Sequence, residues 1–268
     1  MVTRKWILRT GLVASLSCAA LAPAMAQDET TGIVTDPCTS QKTPEQMPDG
    51  QWVPYILAHD FGQLCHYRAK NASLPPADKA SPRVVFMGDS ITEGWQKLDP
   101  DFFTGGKVDR GISGQTTSQM LLRFRQDVIE LHPQVVHILA GTNDVAGNTG
   151  PVSLSQVEGN IASMAEMAQA HGIRVVLGSV PPAEKFPWRS NLVIVPTIKT
   201  LNAWIKAYAA SHGYIYADYF SAMTNASGGM KEGLSSDGVH PTRKGYQVME
   251  PITDASIKHA LDASGTAR

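Results

Sequence analysis

The chain has 268 residues, 43% hydrophobic and 18% charged, which supplies one sizeable core and is too apolar for a disordered protein. Its formal charge of −1 carries no basic excess, so no nucleic-acid partner is expected. Neither a metal-spaced cysteine cluster nor a nucleotide-binding glycine fingerprint occurs, so no metal and no cofactor is expected.

At the start, Arg4, Lys5 and Arg9 surround an apolar stretch from Ile7 to Leu21 that ends in Ala24-Met25-Ala26. This predicts a secretory signal over 1–26, cleaved after Ala26, and a periplasmic or secreted protein. The apolar run falls short of the roughly 20 residues that span a bilayer, so no stable membrane anchor is expected. Cleavage removes three basic and no acidic side chains, leaving 20 Lys+Arg against 24 Asp+Glu. An oxidising compartment would let Cys38 and Cys65 pair. Residues 27–51, rich in Thr, Pro, Asp and Gln, form a flexible lead-in without apolar periodicity.

A single domain is expected over 52–268, with its core at 83–262 and an N-terminal helical extension before it. Tyr55, Ile56, Phe61, Leu64 and Tyr67 recur near helical spacing, which predicts one helix from Trp52 to Leu74, closed by Pro75-Pro76. His59 and His66 lie two turns apart on it, too far to share a metal comfortably, and read as surface or packing residues. Val84 to Met87 is a run of four apolar residues, which suits a strand buried on both faces of a parallel sheet. Gly88 lets the chain leave the strand tightly, and Ser90 starts a helix at the rim of the sheet. There its hydroxyl serves either as a helix cap or as a nucleophile.

A short strand around Val108 leads into Gly111-Ile112-Ser113-Gly114-Gln115-Thr116-Thr117, a loop whose backbone can approach a ligand closely. A helix over about 118–131 follows, then a strand at 135–140 that also ends in small polar residues, Gly141-Thr142-Asn143-Asp144. A helix over 153–171 and a strand over 173–180 precede an irregular loop, Pro182 to Pro196, which carries Phe186, Trp188 and Arg189. The chain closes with a helix over 198–212, a strand over 214–218, the segment Asp237-Gly238-Val239-His240-Pro241, and a helix over 242–261. Strands alternating with helices predict an α/β fold whose ligand site lies at the carboxyl ends of the strands.

Four polar blocks thus stand at strand ends or before the last helix: Gly88-Asp89-Ser90, Gly111 to Thr117, Gly141 to Asp144, and Asp237 to His240. Together, and in this order, they resemble the GDSL or SGNH hydrolase family over Arg83 to about Leu261. The resemblance implies a flavodoxin-like three-layer α/β/α sandwich with about five parallel strands. It also implies Ser90 as nucleophile, His240 and Asp237 as the rest of a catalytic triad, and Ser90, Gly114 and Asn143 as oxyanion-hole positions. Chemistry supports each role. A serine hydroxyl needs an imidazole to take its proton, a carboxylate orients that imidazole, and preplaced donors stabilise the oxyanion. Asp89 and Asp144 read as structural hydrogen-bonding carboxylates rather than further acids.

The Phe86 to Trp95 stretch and the second and third blocks look most like the branch with platelet-activating-factor acetylhydrolase-like proteins and bacterial carbohydrate acetylesterases. That implies a secreted serine esterase removing a small acyl group, acetyl above all, from a small-molecule or polysaccharide ester through an acyl-enzyme. Trp95, Phe186, Trp188 and Arg189 are the candidate substrate-binding residues, with Trp95 and Trp188 as sugar-stacking surfaces. The alternatives are a broader arylesterase, lysophospholipase or thioesterase, and a non-catalytic carbohydrate-binding relative.

Overall fold

A computed structural model describes residues 33–78, 81–189 and 191–262. The expected signal segment, 1–26, lies outside the described residues. No helix among the described residues is long and apolar enough to cross a membrane. The chain divides into two compact units between Gln41 and Lys42, inside the stretch expected as a lead-in. In the first, a 3-10 turn at Pro37–Thr39 is capped by Asp36, whose carboxylate accepts from Cys38 N–H at 2.9 Å. Cys38 and Cys65 are each disulfide-bonded.

The second unit holds five strands and nine α-helices among the described residues. In chain order these are α1 (Trp52–His59), α2 (Arg68–Ala72), β1 (Val84–Gly88), α3 (Ser90–Leu98), β2 (Lys107–Gly111), α4 (Thr117–Asp127), β3 (Val135–Leu139), α5 (Thr142–Val145), α6 (Leu154–Ala170), β4 (Arg174–Gly178), α7 (Ile194–His212), β5 (Ile215–Ala217), α8 (Tyr219–Met223) and α9 (Arg243–Asp262). The sheet is parallel throughout, in the order β2-β1-β3-β4-β5. Successive residues of β1 and β3 are buried because both sheet faces are covered. Val85, Met87, Val136 and Ile138 face the layer built from α4, α6 and α7. Val84, Phe86, Val135 and Leu139 join Ile91, Trp95, Tyr246 and Met249 on the other face. This is the α/β fold expected from the alternating pattern, in the three layers that the family resemblance implies.

Two expected elements differ: α7 begins at Ile194, so the loop expected from Pro182 to Pro196 ends at Val193, and the N-terminal helix is broken. The single helix over 52–74 is two helices, because α1 ends at Asp60 and the chain turns through Gln63 at φ 54°. Asp60 fixes the turn by accepting from Leu64 and Cys65 N–H at 2.8 and 3.1 Å, satisfying two donors that a continuous helix would have paired along its own backbone. Helical spacing of apolar residues cannot reveal such a break.

The strand order reverses direction between β1 and β3, and this switch point is where α/β sheets open a crevice at their carboxyl edge. Ser90 leaves β1 and Asn143 leaves β3, so both stand at the crevice.

Candidate active site

A tight packing and a helix cap set the position of Ser90. A Cβ on Gly111 would lie 2.2 Å from Glu93 N and 2.7 Å from Asp89 O, so the absence of a side chain lets β2 end directly against the first turn of α3. The helix cap is Asp89 rather than Ser90: its Oδ1 accepts from Ile91 N–H at 2.9 Å. Ser90 is therefore the first helical residue, with a backbone N–H in the unpaired first turn and a hydroxyl released from capping.

That hydroxyl meets an imidazole from the far end of the chain. Ser90 Oγ is 2.9 Å from His240 Nε2, and His240 Nδ1 is 2.6 Å from Asp237 Oδ2. The other Asp237 oxygen accepts from the N–H groups of Val239 and His240 at 2.9 and 2.8 Å, so one tight turn holds both residues. Burial disfavours the Asp237 charge, but these hydrogen bonds, led by the one from the imidazole, outweigh it and hold the carboxyl at about 2. An anionic carboxylate on Nδ1 keeps the proton there and leaves Nε2 free to accept one from the serine.

Gly114 follows β2 and Asn143 follows β3. Gly114 has φ +80°, and a Cβ built there would meet open space. Its glycine requirement is thus conformational, and its N–H has no partner among the described residues. Asn143 is buried at the start of α5, entered through Gly141 at φ +118°. Its Nδ2 donates to Gln115 O at 3.0 Å and Asp89 Oδ2 at 3.2 Å, while its Oδ1 accepts from Asn148 Nδ2 at 2.7 Å. The Gly114 N–H can meet an oxygen that gains negative charge, and the Asn143 amide, both of whose N–H groups are already donated, joins it by releasing the longer of its two bonds, to Asp89 Oδ2.

The two remaining carboxylates hold structure. Burial, the largest influence, pushes the Asp89 carboxyl up to about 7, against the N–H of Ile91 and the nearby His240, which favour its charge. Asp144 accepts from Thr117 Oγ1 at 2.6 Å and from Thr117 N–H at 2.9 Å, tying α5 to the first turn of α4.

The substrate-binding expectations divide. Trp95 is corrected: it is 0% exposed, stacked on Phe102 and Tyr246 at centroid distances of 4.7 and 5.3 Å, and has no face to offer a sugar. It lies on the inner side of α3, where its ring fills the core beneath the Ser90 turn. Phe186 is likewise corrected to a packing role, being 1% exposed, and its ring supports Trp188 from behind at 5.3 Å. Trp188, at 42% exposure, tilts toward the His240 ring at 6.0 Å and donates from Nε1 to Asn148 Oδ1 at 3.1 Å. Exposed Arg189 reaches Gly147 O at 3.4 Å on the same rim.

Several contributors escape a sequence reading. Gln115 sits inside a block of small polar loop residues, and Asn148 in a loop without periodicity. Arg123 and Asp127 carry a usable signal, since they stand four apart on the helix face that also bears Met120 and Phe124. A charged pair on an apolar face is an anchoring feature.

Comparison with known proteins agrees with this architecture. A sequence model described as the GDSL-like Lipase/Acylhydrolase family matches residues 86–248. A GDSL-like lipase from Bacteroides thetaiotaomicron of known structure is 46% identical, with a TM-score of 0.73, over 75% of this chain and 100% of its own. The lipase/acylhydrolase from Enterococcus faecalis is 25% identical, with a TM-score of 0.56, over 66% of this chain and 96% of its own. Esterase TesA of Pseudomonas aeruginosa is 26% identical over 179 residues, which are 60% of this chain and 81% of TesA. With the family's match spanning the sheet from β1 to the last helix, the chain is an ester hydrolase and belongs to the GDSL-like lipase/acylhydrolase family.

Proposed function

We propose that this ester hydrolase is a serine esterase that removes small acyl groups, acetyl above all, from carbohydrate esters outside the cytoplasm. The observation that carries the catalytic part is the relay Ser90 Oγ to His240 Nε2 at 2.9 Å and His240 Nδ1 to Asp237 at 2.6 Å. Ser90 Oγ attacks the ester carbonyl carbon as its proton passes to Nε2. The carbonyl oxygen becomes an oxyanion, received by the N–H groups of Gly114 and Ser90 and the amide of Asn143. Collapse expels the alcohol, which takes the proton from Nε2, and leaves the acyl group on Ser90. Water then repeats the cycle in reverse roles, giving its proton to Nε2 and releasing the carboxylic acid and the serine. Asp237 stabilises the imidazolium in both halves.

The substrate class rests on the rim. Trp188 presents an aromatic face beside His240, and Arg189 beside it supplies hydrogen-bond donors, a combination suited to a sugar ring. An acetyl xylan esterase shares the fold at 20% identity with a TM-score of 0.54. Export is supported by the signal-like start of the sequence, and an oxidising compartment suits the disulfide-bonded Cys38 and Cys65. A panel of acetyl, octanoyl, phospholipid and thioester substrates, with acetylated xylan and acetylated monosaccharides, tests the reading. Higher kcat/KM on acetylated sugars than on the other classes supports it; preference for octanoyl, phospholipid or thioester substrates overturns it.

A further inference from the structure

We infer that Gln115 is a positioning residue that holds the Gly114 N–H and the Asn143 amide in one frame, and that buried Arg123 locks that frame to the strand delivering Ser90. The inference rests on reading Gly114 and Asn143 as the oxyanion donors.

Gln115 is 1% exposed, and its polar groups point in separate directions. Its carbonyl accepts from Asn143 Nδ2 at 3.0 Å, its Oε1 accepts from Arg123 Nε at 2.6 Å, and its Nε2 donates to Gly62 O at 3.1 Å. One residue therefore borders the Gly114 peptide along the chain and grips Asn143 across the cleft. Gly114 has no anchor of its own: it has no side chain, is exposed, and has a left-handed backbone. Its N–H belongs to the Ser113–Gly114 peptide, held on one side by Ser113, whose N–H and hydroxyl donate to Glu93 Oε2, and on the other by Gln115, whose N–H donates to Ile112 O at 3.3 Å.

Arg123 supplies the connection to the nucleophile. It is 0% exposed, and its guanidinium donates to Gln115 Oε1, to Asp127 Oδ2 at 3.0 Å and to Gly88 O at 3.0 Å, two residues before Ser90. A buried ion pair is weak support for stability, since apolar residues of the same volume commonly do as well. The planar fork of an arginine does provide fixed geometry in several directions at once. Here those directions are the donor loop, its own helix and the end of β1. The extension before β1 closes the frame from outside, with Gln119 Nε2 donating to Phe61 O at 2.8 Å and Gln126 Nε2 to Leu64 O at 2.6 Å.

The consequence is specific to the transition state. Donors displaced by a fraction of an ångström still admit a neutral ester but no longer meet the oxyanion, so the loss falls on kcat rather than KM. Gln115→Leu keeps the volume and removes both side-chain hydrogen bonds; Gln115→Glu keeps an acceptor for Arg123. With p-nitrophenyl acetate, Gln115→Leu should lower kcat at least about thirtyfold with KM within about twofold. Its inhibition constant for an alkylboronic acid, which forms a tetrahedral adduct on the serine, should rise by a similar factor. Gln115→Glu should recover most of the rate. Arg123→Lys keeps the charge beside Asp127 but loses the fork, and should show the same kcat-only loss. It decides the matter where Gln115→Leu shows no cooperative melting transition. Full kcat in either folded variant overturns the inference, as does a fall in melting temperature without a change in kcat or boronate affinity. Failure of the underlying reading is separate: it shows as unaltered kcat and boronate affinity in Asn143→Ala.

Discussion

Ser90 Oγ and His240 Nε2 lie 2.9 Å apart although 150 positions of chain separate them. Ser90 stands on the first turn of α3 with Asp89 as its cap, and His240 stands on the turn before α9. The core joins these two elements: Tyr246 on α9 donates from its hydroxyl to Ile91 O at 2.8 Å and stacks on Trp95 of α3. The short distance is thus a product of packing between two helices on one face of the sheet.

Ser90→Ala should abolish ester hydrolysis while leaving the melting temperature nearly unchanged, because a half-buried rim hydroxyl contributes little to the core. After treatment with an organophosphonate, mass spectrometry should place the adduct on Ser90. An adduct on another serine, or hydrolysis by the alanine variant, would refute the nucleophile assignment.

Asp237→Asn should lower kcat at least about a hundredfold while KM changes little, because the amide presents the wrong partner to Nδ1 and disturbs the tautomer. The same carboxylate contributes to stability in a defined window. Its folded pKa of about 2 lies below the ordinary 3.8, so its contribution is present above about pH 4 and is lost as pH falls toward 2. Urea melts of the variant and wild type from pH 5 to pH 2 should converge toward the acid end. A rate equal to wild type would mean that serine and histidine work as a dyad.

Much of this site was legible because its residues come in short blocks at strand ends. Val84 to Met87 announces a doubly covered strand, and a serine just past its end has little freedom about where to stand. The Asp237 to His240 spacing places both groups on one turn for the same reason. What stayed hidden depends on contacts between blocks. Arg123 meets Gln115 through the packing of α4 against β1, and the Trp188–Asn148–Asn143 chain runs through two loops to the start of α5. Trp95 misled because an aromatic on the helix that begins at Ser90 can face outward or inward. Here the helix turns it inward against Phe102 and Tyr246.

Asp109 predicts a stability effect of the opposite sign. Burial, the largest influence, pushes its carboxyl up to about 7, with Glu93 adding to the effect, while the Gly111 N–H at 2.6 Å favours the charge. Between pH 4 and 7 the folded protein retains a proton that the unfolded chain releases. Stability therefore declines with rising pH across that window, with a slope of at most about 1.4 kcal/mol per pH unit, and the decline from this group ends above 7. Asp109→Asn keeps an acceptor for Gly111 N–H and removes the titration. Denaturation at pH 5, 6, 7 and 8 should show a shallower slope for the variant and a relative gain at pH 8. Parallel curves would show that Asp109 is ionised throughout.

The loop after β4 should set which alcohol the enzyme accepts without taking part in bond cleavage. It leaves the carboxyl edge of the sheet and ends at Val193, shorter than the expected Pro182 to Pro196 because α7 takes in Pro196, and Phe186 pins it to the core so that Trp188 tilts toward His240. Trp188 has two separable functions: its ring is a surface for substrate, and its Nε1 reaches Asn143 through Asn148. Trp188→Ala removes both, whereas Trp188→Phe keeps a ring and loses the hydrogen bond. On a bulky acetylated sugar, Trp188→Ala and Arg189→Ala should each lose at least about tenfold in kcat/KM, equivalent to roughly 1.4 kcal/mol. Each should lose little on a small aryl acetate. Trp188→Phe should retain the sugar activity if the ring carries recognition, and should share the loss if the link to Asn143 does. Equal losses on both substrates, together with a lower melting temperature, would show instead that the aromatic pair serves only to hold the loop.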